Sequence, residues 1–168
     1  ETSVNKQKKD ESNSEKIKQR SINDDSESLF KKAVNYYNNS NKKLAIQFYK
    51  LAIEKGHVGA MNNYATMLHD GDGVSMNKEE AINYYKLGIK KGDSNSMCNY
   101  AIMLQNGDGV TMNKSKAAHY YKKAIDKGHC IAMLNYANML SKGEGVSVNK
   151  QESVEYYKMA VKKGETNS

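Results

Sequence analysis

Apolar positions along most of this chain recur with a helical period rather than a strand period. Ala60, Tyr64, Met67 and Leu68 fall at i, i+4, i+7 and i+8, which puts one apolar stripe on a helix near 58–69. Ala81, Tyr84, Tyr85, Leu87 and Ile89 mark a second helix near 78–91. Gly71-Asp72-Gly73 makes a turn between the two, and Val74 tucks back towards the core. Asn77, with Glu80 three residues later, reads as an N-cap with a capping box. Gly92 suits the left-handed C-terminal cap of the second helix.

The same pattern returns every 36 residues. Tyr64-Ala65-Thr66-Met67-Leu68 recurs as Tyr100-Ala101-Ile102-Met103-Leu104 and as Tyr136-Ala137-Asn138-Met139-Leu140. Gly71-Asp72-Gly73-Val74 returns as Gly107-Asp108-Gly109-Val110 and Gly143-Glu144-Gly145-Val146. Tyr84-Tyr85-Lys86 returns as Tyr120-Tyr121-Lys122 and Tyr156-Tyr157-Lys158. Gly56, Gly92, Gly128 and Gly164 keep the step and close the units. A shorter unit precedes these, with Leu29, Phe30, Ala33, Tyr36 and Tyr37 on its first helix and Leu44, Ala45, Phe48, Tyr49 and Ala52 on its second. Its helices are joined without the glycine loop.

These units predict an all-α fold: a right-handed α-solenoid of about four helix–turn–helix repeats, at 26–57 (the shorter unit), 58–93, 94–129 and 130–164. One such hairpin buries too little to stand alone, so stacked units must share their cores. Residues 1–25 carry only Val4, Ile17 and Ile22 as apolar side chains, and read as a disordered polar tail or a transient helix. Ser3-Val4-Asn5-Lys6-Gln7 echoes Ser147-Val148-Asn149-Lys150-Gln151, by coincidence or as a decayed repeat.

Gly-x-Gly-Val, then Asn-Lys-x-x-Ala-x-x-Tyr-Tyr-Lys, then a helix-ending Gly resembles the Sel1-like repeat, and the first unit is similar to a tetratricopeptide repeat. Departures are mild: Tyr64-Ala65 and its copies stand where the family usually has Leu-Gly, and Asn77, Asn113 and Asn149 where it usually has Asp. The resemblance implies a non-catalytic adaptor or scaffold, with no catalytic residue, cofactor or metal. An alternative is a regulatory repeat segment of a larger multidomain enzyme, for example one linked to a kinase. A third, remoter reading is a β-lactamase-like protein of the family's disulfide-rich branch. That branch pairs cysteines at positions matching Ile89 with Met97 and Ile125 with Met133, where this chain has none.

Composition adds limits. Lys and Arg number 26 against 19 Asp and Glu, a net charge of +7. The lysines gather on the second helix of each unit, which biases that face towards acidic partners. Arg20 is the single arginine, which argues against nucleic acid. No run of about 18 apolar residues is present to span a membrane. Cys98 and Cys130 form no disulfide framework, which favours a reducing, cytoplasmic compartment, although the chain starts at Glu1 and a leader could have been trimmed. His57 and His129 read as solvated loop or capping residues. Asp72, Asp108 and Glu144 read as a solvated loop edge, and Cys98 as a structural thiol.

The functional candidates lie on the first helix of each unit, whose outer side should line the concave groove. Asn63, Asn99 and Asn135 share one register position. Asn62, Cys98 and Leu134 stand one residue before, and Thr66, Ile102 and Asn138 three after. An asparagine ladder can both donate to and accept from the backbone of a partner peptide, and in peptide-clasping tetratricopeptide domains Asn at the similar place does so. A partner helix would also fit, and the last unit, Tyr156, Tyr157 and Met159 in particular, offers a surface for self-association.

Overall fold

The computed structural model describes residues 15–166. Among them are nine helices and no strands. A short helix α1 covers 15–20. Four hairpins follow: α2 (Ser26–Asn38) with α3 (Lys42–Glu54), α4 (Val58–Asp70) with α5 (Lys78–Lys90), α6 (Ser94–Asn106) with α7 (Lys114–Ile125), and α8 (Cys130–Lys142) with α9 (Lys150–Thr166). Each even-numbered helix, here helix A, packs against its own helix B, and α4, α6 and α8 also pack against helix B of the preceding unit. The result is an α-solenoid.

Small residues set the spacing. Ala33, Ala45, Ala65, Ala81, Ala101 and Ala117 are completely buried, so helix backbones approach closely at those points. Tyrosines fill the space that remains. Tyr64 meets Tyr84, Tyr100 meets Tyr120 and Tyr136 meets Tyr156, all edge-to-face with centroids 5.2 Å apart. Such pairs add about 0.5–1.5 kcal/mol beyond the area they bury. The helix-B lysines are not merely solvated: Lys50, Lys86 and Lys122 lie over the rings of Tyr64, Tyr100 and Tyr136 of the next unit, at 5.3, 5.9 and 5.9 Å.

The caps follow the residue types. Asn77 accepts from the Glu80 backbone N–H at 3.1 Å and donates to the Glu80 carboxylate at 3.2 Å. His57 and His129 are helix-A N-caps, each accepting through Nδ1 from the backbone N–H of Ala60 (3.1 Å) or Ala132 (3.2 Å). Asp93 does the same work at the equivalent position, accepting from the Ser96 N–H at 2.7 Å.

Two features add to the sequence reading. Residues 15–25, within the polar segment, lie against the first unit: Ile17 packs against the core, Ser21 is buried, and Lys18 pairs with Glu54 at 2.9 Å. One apolar side chain per turn is enough when an existing hydrophobic face receives it. The echo at 3–7 lies outside the described residues. Gly164 does not close its unit: Gly56, Gly92 and Gly128 turn the chain at φ +82°, +82° and +77°, whereas α9 runs through Gly164 to Thr166. No further helix packs there, among the described residues, to demand the turn.

The second glycine of each loop is bound by sterics. A Cβ on Gly73, Gly109 or Gly145 would lie 2.6, 2.8 or 2.7 Å from Cβ of Lys42, Lys78 or Lys114, and φ there is near +70°. Gly109→Ala is expected to cost about 1–3 kcal/mol, because the strained φ and the contact add. Gly164→Ala, in a helix where the added Cβ would meet nothing within 4 Å, is expected to be neutral or to gain up to about 1 kcal/mol. Thermal or urea unfolding of the two variants checks the opposite signs.

Candidate functional site

The helix-A candidates divide into buried and accessible residues. Asn62 and Cys98 are buried and cannot line an open groove. Burial among the helices pushes the Cys98 thiol up to about 12, which disfavours the thiolate, whereas the same register position in α8, Leu134, is 39% exposed. Leu134 and Asn138 are exposed, and Asn63, Thr66, Asn99, Ile102 and Asn135 are half-buried.

The asparagines hold the seam between units. Asn63 donates to the Tyr49 hydroxyl of the preceding helix B at 3.3 Å. The Asn99 and Asn135 amides stand in the same relation to Tyr85 and Tyr121, whose pKa values burial raises and these amides pull back. Asn99 also donates to Oδ1 of Asn62 at 3.0 Å. Thr66 bonds the Tyr85 hydroxyl at 3.0 Å, and Asn138 accepts from Tyr157 at 2.6 Å. The ladder is therefore partly committed to internal partners before any ligand arrives.

Two adjoining hollows open along the helix-A side. One, of about 320 Å³, lies between α2 and α4 and is lined by Val34, Tyr37, Asn38, Tyr49, Asn63, Thr66, Met67, Asp70 and Asp72. The other, of about 170 Å³, lies between α4 and α6 and includes Thr66, His69, Asp70, Tyr85, Asn99 and Ile102. They share Thr66 and Asp70, so they form one strip. Four of the candidates, Asn63, Thr66, Asn99 and Ile102, come together on it. Leu134, Asn135 and Asn138 sit one unit further along.

Tyr37, Asn38, His69, Asp70 and Asp72 border this strip and were not among the candidates. The loop carboxylates are not a bare solvated edge. Asp72 accepts from Lys42 and from the Tyr37 hydroxyl, which together hold its carboxyl below the usual range. Asp108 is paired likewise with Lys78 and His69, and Glu144 with Lys114 at 3.5 Å. The signal was present in the sequence: Lys42, Lys78 and Lys114 keep the register 30 residues before Asp72, Asp108 and Glu144. Among the described residues, no three His, Cys, Asp or Glu side chains gather as a metal site would require, and no helix is long and apolar enough to cross a membrane.

His69 and His129 respond to pH in opposite ways. Burial disfavours charge on His69, but its bonds to Asp70 (2.5 Å) and Asp108 (2.7 Å) outweigh that and raise its pKa. Its stabilisation is fully present below about pH 6.5 and fades as pH rises through the raised folded value. Burial lowers the pKa of His129. Its capping nitrogen must be unprotonated to accept, so its contribution is present above about pH 6.5 and fades on acidification. His69→Gln is therefore expected to destabilise more at about pH 5.5 than at about pH 8.5, and His129→Asn less. Urea midpoints at the two pH values give the measurement.

The Sel1 repeat family model matches residues 39–57, 58–93, 94–129 and 130–165. Among solved structures, a protective antigen present in uropathogenic Escherichia coli strains, displaying an SLR fold, is 26% identical with a TM-score of 0.76. That match covers 83% of this chain and 31% of the antigen. A Sel1 repeat protein from Oxalobacter formigenes is 23% identical with a TM-score of 0.78, covering 84% of this chain and 58% of the other. The chain thus spans less than two thirds of either relative. No curated protein matches its sequence.

Proposed function

The chain belongs to the Sel1 repeat family, and we propose that it is a non-catalytic scaffold that grips a peptide or helix of a partner protein along its helix-A strip. Repeats of this family generally serve as protein-interaction scaffolds. The observation that carries the reading here is the pair of adjoining hollows joined at Thr66 and Asp70. A strip of that kind offers hydroxyl, amide and carboxylate groups to a partner backbone, with Ile102 and Met67 as apolar floor. Asn38 and Asp70 are exposed, and they add groups beyond those tied up in the seam. Leu134, Asn135 and Asn138 extend the same face by one unit.

Charge separates two surfaces. Asp70 and Asp72 border the strip, so a partner seated there gains from a basic or neutral segment. A bias towards acidic partners belongs instead to the helix-B face, where the lysines are. Many modest contacts, rather than one deep pocket, are the expected mode.

The test places a photo-crosslinking residue at Asn38 or Ile102, and as controls at Glu79 or Lys116 on helix B. Specific partners from the source cell should crosslink from the first pair and vanish in an Asp70→Arg/Ile102→Arg variant that keeps its helicity. Crosslinks from the helix-B positions alone would sink the reading.

A further inference from the structure

The last turn of helix A reaches the loop carboxylate of the next unit at two junctions. Tyr37 does so with a hydroxyl, donating to Asp72 at 2.8 Å. His69 does so with a ring nitrogen, its Nε2 lying 2.7 Å from Asp108. Gln105, at the third junction, accepts from the Tyr121 hydroxyl instead. The second junction therefore replaces a permanent donor with a titratable one, and it does so on the helix-A strip. His69 and Asp70 line the second hollow, and Asp70 also borders the first.

The ring is held from both sides. Nδ1 lies 2.5 Å from Asp70, and Nε2 faces Asp108. Both carboxylates only accept, and a neutral imidazole carries one N–H, so only the imidazolium bonds both. Asp108 has a second partner in Lys78, whereas Asp70 pairs with no lysine among the described residues. The Asp70 side chain is 55% exposed against 33% for Asp108. Water replaces the imidazole at Asp70 at the lower cost, so Asp70 is the carboxylate released when the ring loses its proton. The other groups around the ring keep their charge through this step. Lys42 and Tyr37 hold Asp72, Lys78 stays on Asp108, and the Tyr85 hydroxyl stays neutral because burial raises its pKa. Asn99 and Ile102, facing from α6, are uncharged.

We propose that His69 is a pH-operated gate on the strip: its protonated ring clamps Asp70 and masks that charge, and its neutral ring frees Asp70 to bind a basic side chain of the partner. This inference rests on the reading of the strip as the partner site. Deprotonation changes the strip twice in the same direction, because a positive charge is lost and a negative one is uncovered. A basic segment is gripped above the pKa of the clamped ring and let go below it. Burial opposes charge on that ring, but the two carboxylates outweigh it and raise its pKa, so the gate works above about pH 6.5. Tyr37, Gln105 and Ser141 hold the equivalent positions, and none of them titrates in that range, so the strip has one gate.

The probe is an acetylated, amidated pentapeptide of alternating alanine and lysine, titrated into the isotopically labelled full chain. Binding is read by NMR at about pH 5.5 and about pH 8.5, on either side of the ordinary histidine value. At the higher pH the amide signals of Thr66, Asp70 and Ile102 should move saturably. At the lower pH the dissociation constant should rise about fivefold or more. His69→Tyr, which installs the donor of the first junction, and His69→Gln should each bind equally at both pH values; if one lowers helicity, the other decides. Asp70→Asn should weaken binding at the higher pH to the level seen at the lower. In the free chain, the Asp70 carboxyl signal should follow the His69 ring titration with one midpoint. Equal binding by the native chain at both pH values, a pH dependence that survives the His69 substitutions, or an Asp70 signal indifferent to His69 overturns the gate and leaves the strip standing. No binding at either pH overturns the gate together with the strip as a site for basic segments.

Discussion

The array depends on how closely each glycine loop passes the start of the preceding helix B. At Gly73, Gly109 and Gly145 there is no room for a side chain, and the stems of Lys42, Lys78 and Lys114 lie directly across the gap. The ion pairs with Asp72, Asp108 and Glu144 decorate this contact but do not dominate it. Their partners are partly exposed, with side-chain exposures of 24–44%, and exposed pairs are worth about 0.2–1 kcal/mol. Backbone proximity sets the angle between units; the carboxylate then fixes the lysine stem over the glycine. The first unit has no such loop and turns instead through Ser40, a non-glycine residue at φ +59°.

A second seam is built from tyrosine hydroxyls. Burial of Tyr49, Tyr85 and Tyr121 between units removes their hydroxyls from water, and an unpaired buried hydroxyl costs about 1–3 kcal/mol. Asn63, in the middle of the next helix A, donates to the Tyr49 hydroxyl, whereas the Tyr85 and Tyr121 hydroxyls bond Thr66 and Gln105 with Asn99 and Asn135 also against them. This contact gives Asn a structural reason to recur at one register position. It also limits what the ladder can offer to a ligand, since an amide that donates to a tyrosine keeps chiefly its carbonyl for other work.

Local features were legible in the sequence and long-range ones were not. The 36-residue period, the helix boundaries to within a residue or two and the Asn77 cap depend on neighbours a few positions apart. The pairing of Asn63 with Tyr49 and of Asp108 with Lys78 spans 14 and 30 residues across a unit boundary. Reading it required aligning the repeats against each other with an offset, not only with themselves. The burial of Asn62 and Cys98 was missed because burial at that position depends on neighbouring helices: Asn62 meets Asn99 of the next unit, whereas Leu134 at the same position in α8 is exposed. The packing of Ile17 on the first unit was missed because composition counts apolar residues but not the waiting surface that receives them.

Positions that repeat and positions that vary have different physical duties. Ala65, Tyr64 and Asn63 recur because every junction is the same junction. A partner that is not itself repetitive cannot be told from another by residues that are identical in each unit. Discrimination must come from register positions whose chemistry changes along the array. On helix A these are Thr66, Ile102 and Asn138, and the set formed by Tyr37, His69 and Gln105. The second set shows the change directly: Tyr37 and His69 both hold the loop carboxylate of the next unit, whereas Gln105 turns to the Tyr121 hydroxyl at 2.8 Å. One face thus presents a hydroxyl, an aliphatic and an amide surface in succession over a constant frame. On the proposed scaffold reading, the varying positions give the chain its specificity, and the invariant ones hold them at a fixed spacing.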